Sequence, residues 1–113
     1  MAGLDANNTA DVTFDIASAD ADGGGTGLKV RITGELDITN VDALESAVGS
    51  ALERHPGRLI LDLSGLRFAD SSAIALWVRW STAVHEIELR DVSPILRRVI
   101  DSMGLADTLN VKP

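Results

Sequence analysis

One stretch of the chain constrains the fold more than any other, because it joins an apolar segment to a helix start. Residues 58–63, Arg-Leu-Ile-Leu-Asp-Leu, are almost wholly apolar, and residues 64–69 follow them as a turn-like segment. A short apolar run bounded by turn residues predicts a strand that is buried on both faces. Asp70 and Ser71 then precede good helix formers, which is the pattern of a helix N-terminus. The sequence therefore predicts a seryl hydroxyl beside the end of a central strand.

The position of Ser71 suggests more than a helix cap. The free backbone N–H groups and the positive dipole end at the start of a helix favour an added anion. Ser71 is therefore a candidate phosphorylation site. Because serine and aspartate also cap helices for purely structural reasons, the local pattern alone leaves the structural interpretation open.

The rest of the chain alternates between strand and helix patterns. Apolar residues recur at every second position in residues 12–16 and 28–32, which predicts two half-buried strands joined as a hairpin. Thr39 is predicted to cap a first helix, which ends before Pro56-Gly57. The helix after Asp70 is predicted to end near Val84.

The C-terminal third continues this alternation. Ile87 and Leu89 alternate with charged residues, as in a further strand. Ser93 followed by proline predicts the N-terminus of a third helix, and Gly104 its C-terminus. Residues 109–111 form a possible short last strand. Strands that alternate with helices predict an α/β fold with a partly parallel sheet.

Length and composition narrow the class of protein. A chain of 113 residues is long enough for one domain. Residues 1–10 are predicted to be a flexible N-terminal segment and residues 11–113 the folded domain. The net charge of −7, from 17 acidic and 10 basic residues, argues against direct nucleic-acid binding. The absence of cysteine excludes disulfides and thiolate metal sites.

No segment has the length and apolarity of a membrane span, and the N-terminus lacks the pattern of a secretory signal. A cytoplasmic location is therefore expected. His55 and His85 have no neighbouring metal ligands or catalytic partners at a suitable spacing, and both are interpreted as surface or structural residues. Trp77 and Trp80 lie three apart on one helix. One is predicted to pack in the core and the other is a candidate for a partner-facing surface.

Three blocks of sequence together resemble a known family. Residues 61–73, Leu-Asp-Leu-Ser-Gly-Leu-Arg-Phe-Ala-Asp-Ser-Ser-Ala, resemble the signature of the STAS family, the bacterial anti-sigma factor antagonists. Residues 33–37, Thr-Gly-Glu-Leu-Asp, and residues 93–105 resemble two further blocks of that family in the same order. The resemblance implies a single STAS-like domain. Its mixed, mostly parallel sheet would have four to five strands, with helices packed mainly on one face.

The resemblance also implies a function, that of an anti-sigma factor antagonist rather than an enzyme. The unphosphorylated form would bind an anti-sigma factor with serine kinase activity and so release a sigma factor. Phosphorylation at Ser71 would switch binding off, and a serine phosphatase would reset it. The protein itself would need no cofactor, because ATP and magnesium would belong to the kinase.

The implied partner-binding residues surround Ser71, and they are Glu35, Asp37, Asp70, Ser72 and Ala73. Loops after neighbouring strands open on the same edge of such a sheet, which brings the three carboxylates towards Ser71. Ala73 departs from the family, which usually has glycine there. Alanine is the better helix former, so the helix is expected to persist while a partner's close approach is altered.

Two alternatives stay open. One is a constitutive STAS subunit of a transporter or of a stressosome-like assembly, in which Ser71 is only a helix cap. The other is a small hydrolase or nucleotide-binding enzyme, which is disfavoured because no acid/base pair or phosphate-binding loop can be identified.

Overall fold

The fold is known from a computed structural model that describes residues 12–18 and 27–112. The predicted N-terminal segment, residues 1–10, lies outside the described residues. Within these residues four strands and three helices follow one another, in the order β1 (Val12–Ser18), β2 (Gly27–Leu36), α1 (Val41–Leu52), β3 (Arg58–Ala69), α2 (Ser71–Ala83), β4 (Glu86–Arg90) and α3 (Pro94–Ser102).

The strands form one sheet in the order β1-β2-β3-β4. β1 pairs with β2 in antiparallel register, and the two parallel pairs β2–β3 and β3–β4 complete the sheet. The hairpin, the parallel crossovers and the predicted α/β class are thereby confirmed. The possible last strand is reduced to a single parallel bridge between Leu89 and Val111, so the described part of the chain contributes four strands to the sheet.

The core lies between one face of the sheet and the three helices. Alternate residues of each strand belong to a single buried cluster, and the helices add the apolar side chains that face it. Each helix therefore covers the same face of the sheet. In α2 both Trp77 and Trp80 are buried, so the expectation that one of them faces a partner was wrong. The helix lies against both the sheet and α1, and this leaves neither indole on the surface.

β3 is longer than its apolar run predicted. It continues through residues 64–69 because its pairing with β2 resumes after two irregularities, near Thr33 and near Glu35. At the first of these, Gly65 lies beside Thr33, and a Cβ on Gly65 would come within 2.5 Å of the Thr33 Cγ2 atom. Any larger residue at position 65 would therefore require the Thr33 side chain to shift.

The predicted helix ends are mostly confirmed. Asp70 caps α2, the Ser93 hydroxyl accepts a hydrogen bond from the Leu96 amide, and Gly104 has φ +73° after α3. The prediction for α1 was wrong by one residue, because Asn40 rather than Thr39 precedes its first turn. Thr39 instead bonds to Asp37, which draws its side chain away from the helix.

Candidate functional site

The candidate site lies at the C-terminal ends of the parallel strands β2 and β3. Leu36 pairs with Ala69 as the last residue pair of the two strands, and the Asp70 amide donates to the Leu36 carbonyl oxygen at 3.2 Å. The loop after β2 and the start of α2 are therefore neighbours. This arrangement brings together the residues that the sequence blocks 33–37 and 61–73 placed in one site.

Asp70 connects the two segments. Its Oδ1 atom accepts hydrogen bonds from the amides of Ser72, at 2.9 Å, and Ala73, at 3.3 Å. The Ser72 hydroxyl donates to the same oxygen. The Oδ2 atom accepts from the Ile38 amide at 3.1 Å, in the loop after β2. One carboxylate thus caps α2 and fixes the neighbouring loop.

These contacts decide the charge state of Asp70. Partial burial of the carboxyl opposes ionisation, but the hydrogen bonds from Ser72, Ala73 and Ile38 outweigh it and lower the pKa below its usual value of 3.8. Asp70 is therefore a carboxylate throughout the neutral range.

The loop after β2 is held by its own polar side chains. Asp37 Oδ1 accepts from the Thr39 amide at 2.9 Å and also from the Thr39 hydroxyl. Asn40, only 3% exposed, accepts from the Asp37 amide at 2.9 Å through Oδ1 and donates to the Glu35 carbonyl oxygen at 2.8 Å through Nδ2. Sequence reasoning missed Asn40. An asparagine directly before a helical pattern was the available signal.

Ser71 is the first residue of α2 and its side chain is exposed. In the part of the chain that the structure describes, its hydroxyl forms no hydrogen bond, whereas the Ser72 hydroxyl is bound to Asp70. Ser71 is thus the seryl hydroxyl of this helix start that is free to react. Ala73 is fully buried, so any influence on a partner must pass through the geometry of the first helical turn.

Glu35 lies one step back from the strand ends, paired with Phe68 of β3. Its carboxylate is 3.8 Å from the Arg67 guanidinium, and both side chains are largely exposed. An exposed pair at this distance is weak and leaves both groups available. Glu35, Asp37, Asp70 and Ser72 therefore line one edge of the sheet beside Ser71.

The other candidates do not form a site. His55 and His85 are both exposed, as expected of surface residues. Within residues 12–18 and 27–112, no three histidine, aspartate or glutamate side chains come together as a metal site would require. None of the helices described is both long enough and apolar enough to cross a membrane.

The fold and the site define a small α/β domain with an exposed serine at the start of α2, beside the C-terminal edge of its sheet. The family described as "Mlab, STAS domain" matches residues 19–111 of the sequence. The chain therefore belongs to the STAS domain family, as the three sequence blocks indicated.

Relatives of the chain carry related names. It is 30% identical over 85 residues to the anti-sigma-F factor antagonist RsfB of Mycobacterium tuberculosis. The aligned segment covers 73% of this chain and 70% of the relative. Among solved structures, an anti-sigma factor antagonist from Mycobacterium paratuberculosis is 26% identical with a TM-score of 0.74, over 89% of this chain and 86% of the other.

The fold is also shared by a more distant protein. The anti-sigma factor antagonist SpoIIAA in its unphosphorylated form has a TM-score of 0.72 at 20% identity, over 89% of each chain. At this identity the likeness concerns the fold, and it confirms the predicted STAS-like architecture.

Proposed function

We propose that this protein is an anti-sigma factor antagonist whose partner affinity is set by phosphorylation of Ser71. The unphosphorylated form binds an anti-sigma factor with serine kinase activity, so that a sigma factor is released. A serine phosphatase restores the binding form. The observation that carries the proposal is the exposed, unbonded Ser71 hydroxyl at the start of α2, beside a carboxylate that ties α2 to the neighbouring loop.

The relatives support the same function. The Mycobacterium tuberculosis protein, 30% identical, is named an anti-sigma-F factor antagonist. The geometry is compatible with this role, because among the described residues the exposed Ser71 hydroxyl is hydrogen-bonded to no base that would activate it as a nucleophile. In this proposal the chain is the substrate of a kinase, and ATP and magnesium are bound by that kinase. Neither catalysis nor a resident cofactor is part of the proposal.

Electrostatics is sufficient to operate such a switch. A phosphate on Ser71 adds close to two negative charges near Asp70 and Asp37. Repulsion within the chain is present in the free protein as well, so the charge that matters for affinity is one on the partner. For a partner carboxylate about 6 Å from the phosphate, at an effective dielectric constant near 20, each pair of like unit charges costs roughly 3 kcal/mol before screening. The helix dipole and screening offset part of this cost. A remaining cost of about 2–3 kcal/mol weakens a complex by roughly thirty- to a hundredfold.

The test is capture of binding proteins from native lysate with the wild type, Ser71→Ala and Ser71→Glu, followed by their identification. The exposed helical residue Ser46 supplies a matched control, Ser46→Glu, which adds the same charge elsewhere. An anti-sigma factor should be retained by the wild type, Ser71→Ala and Ser46→Glu and lost from Ser71→Glu. Equal capture by all four proteins would instead indicate a constitutive subunit in which Ser71 is only a cap.

The phosphorylated residue is identified separately by mass spectrometry after incubation with the captured kinase and ATP. Ser71 is the expected acceptor because the Ser72 hydroxyl is already bound to Asp70. Modification confined to Ser72 or to Ser64 would contradict the assignment.

A further inference from the structure

One edge of β3 is only partly used. β4 pairs with β3 over Arg58–Asp62, whereas β3 runs on to Ala69. Among the residues described, 12–18 and 27–112, no strand pairs with residues 63–69 on the side away from β2. The edge of a strand presents backbone N–H and C=O groups that are ready to pair with another chain. Within the described residues, no strand occupies this edge of β3 beside Ser71, which we call the vacant edge. One amide of the segment, that of Ser64, already donates to the Asp62 carboxylate at 3.0 Å.

An apolar groove of about 610 Å³ runs along this edge, between β3 and α3. Leu66 and Phe68 line it from the strand, and Ile95 and Val99 line it from the helix. Phe68 is 52% exposed and Ile95 is 79% exposed, although both are large apolar side chains. Contiguous exposed apolar surface of this kind marks binding sites more often than chance.

The rim of the groove is basic in an acidic protein. Arg67 lies on the strand side with its side chain 72% exposed. Arg98 lies three residues after Ile95 and is also exposed on α3. Because the whole chain carries a net charge of −7, an exposed arginine in the groove lining, with a second exposed arginine on the same helix as Ile95, favours an acidic partner segment.

We propose that this groove binds an extended, apolar and acidic segment of the partner protein, which adds as a fifth strand to the vacant edge of β3. Backbone hydrogen bonds to β3 would fix the segment, as in other cases of strand addition. Apolar side chains would enter the groove between Phe68 and Ile95, and a carboxylate would meet Arg67 or Arg98. An extended segment is favoured over a helix because a helix would leave the β3 edge unpaired.

The inference deepens the proposed function and rests on it for the identity of the partner. Ala69 ends β3 two residues before Ser71, so a segment in the groove would bring the body of the partner against the start of α2. The peptide-binding property itself does not depend on phosphorylation, and it is tested without the partner.

The probe is a capped seven-residue peptide in which valine alternates with glutamate, titrated into the full 113-residue chain. Two matched peptides separate the causes of binding. One has lysine in place of glutamate. The other is N-methylated at every residue, so that neither of its edges can donate ladder hydrogen bonds. The parent peptide should bind at least tenfold more tightly than either control. In hydrogen exchange, bound peptide should protect amides of residues 63–69 that point away from β2.

Variants of the chain locate the site. Phe68→Ala should weaken the parent peptide at least tenfold, because it removes a large apolar contact from the groove. Arg67→Glu should weaken it about fivefold and improve binding of the lysine peptide. Arg54→Glu, at an exposed arginine beyond α1, is the control and should change neither affinity.

Four results with the wild-type chain would overturn the proposal. The first is that the parent peptide does not bind, and the second is that the N-methylated peptide binds equally well. The third is that the chain associates with itself through the groove. The fourth is that the amides of residues 63–69 that point away from β2 are already protected from exchange before peptide is added. Equal binding of the N-methylated peptide would indicate a groove for apolar ligands in general. If the peptide binds as expected while Ser71→Glu still captures the anti-sigma factor, the groove stands and the phosphorylation switch fails. If Phe68→Ala keeps its affinity for the peptide while Ser71→Glu no longer captures the anti-sigma factor, the phosphorylation switch stands and the groove proposal fails.

Discussion

At the scale of single residues, Asp70 performs two tasks with its two carboxylate oxygens. Oδ1 caps α2 through the amides of Ser72 and Ala73, and Oδ2 holds the loop after β2 through the Ile38 amide. The first task follows from local sequence. The second joins two segments more than thirty residues apart in the sequence. Substitutions can therefore separate the cap from the tether.

Asp70→Asn and Asp70→Ala should destabilise the protein to different degrees. Asparagine still caps the helix, but its amide group cannot accept from Ile38, so we expect a loss of about 1 kcal/mol in the free energy of unfolding. Alanine removes both contacts, and the expected loss is about 2 kcal/mol. Urea denaturation measures both values. Equal losses for the two variants would mean that the Ile38 contact contributes nothing.

Acid should also weaken the protein through Asp70. The pKa of this carboxyl is lowered in the folded chain relative to the ordinary value of 3.8. The unfolded chain therefore binds the proton more readily, so the stabilisation is present above pH 3.8 and is lost as the pH falls through the folded pKa. In Asp70→Asn the slope of stability against pH in this range should be shallower. An unchanged slope would mean that the loss of stability in acid comes from other carboxyl groups.

Asp37 tests whether charge at the site matters apart from structure. Asp37→Asn keeps an acceptor for the Thr39 amide and hydroxyl while it removes the charge. We expect the melting temperature to change little and the affinity for the anti-sigma factor, or the rate of phosphorylation, to change several-fold. Asp42→Asn, at an exposed acid in the first turn of α1, is the matched control. A large loss of stability with normal affinity would make Asp37 a purely structural residue.

At the scale of elements, β4 shows how a strand pattern can mislead about burial. Glu88 lies on the opposite face from Ile87 and Leu89, away from the helices, yet it is only 3% exposed. The Arg58 guanidinium donates to it at 2.6 Å, and Arg90 bonds to its other oxygen. Burial opposes ionisation of Glu88, but the two arginines outweigh it and lower the pKa below its usual value of 4.5.

Glu88→Gln should therefore lower the free energy of unfolding by about 1–2 kcal/mol, because two charge-assisted hydrogen bonds lose their carboxylate. The two arginines are partly exposed and recover some hydration, which limits the loss. Glu86→Gln, at a half-exposed neighbour 3.9 Å from Arg58, should change stability by less than about 0.5 kcal/mol. Thermal denaturation followed by circular dichroism compares them. Similar losses of stability for both variants would show that burial of Glu88 does not strengthen its interactions with the two arginines.

At the scale of the whole molecule, the switch is expected to act on an interface rather than on the fold. Asp70 and the loop after β2 are fixed by hydrogen bonds, whereas the exposed Ser71 hydroxyl forms no hydrogen bond in the described part of the chain. A negative charge at the helix start is also favoured by the dipole. Neither feature requires the domain to rearrange when Ser71 is modified.

Ser71→Glu should accordingly keep its fold while it loses most of its affinity for the anti-sigma factor. Trp77 and Trp80 are both buried and the chain has no tyrosine, so tryptophan emission reports directly on the core. We expect unchanged emission and circular dichroism, and calorimetric affinity in the order wild type, Ser71→Glu, phosphorylated protein. Equal affinity in all three would leave Ser71 as a helix cap only. A shifted emission would place the effect in the fold.

Much of the architecture and part of the site could be predicted from the sequence, because the relevant signals are local. The alternation of apolar residues predicted β1 and β2. The helix ends were predicted from residues that act through contacts a few positions away, namely Asp70, Ser93 and Gly104. The polar motif after β3 likewise identified Ser71 as the first residue of a helix. Such features depend on the backbone near each residue and on little else.

Tertiary structure alone decided what pairs with what and which surfaces remain open. β3 extends to Ala69 because β2 lies alongside it. Trp80 is buried because α2 packs against both the sheet and α1, and Glu88 is buried beneath two arginines from neighbouring positions of the sheet. The vacant edge of β3 exists because β4 stops pairing at Asp62. Local sequence determines the period and the ends of an element. Its neighbours are set by long-range packing, and the periodicity of a single segment contains no information about them.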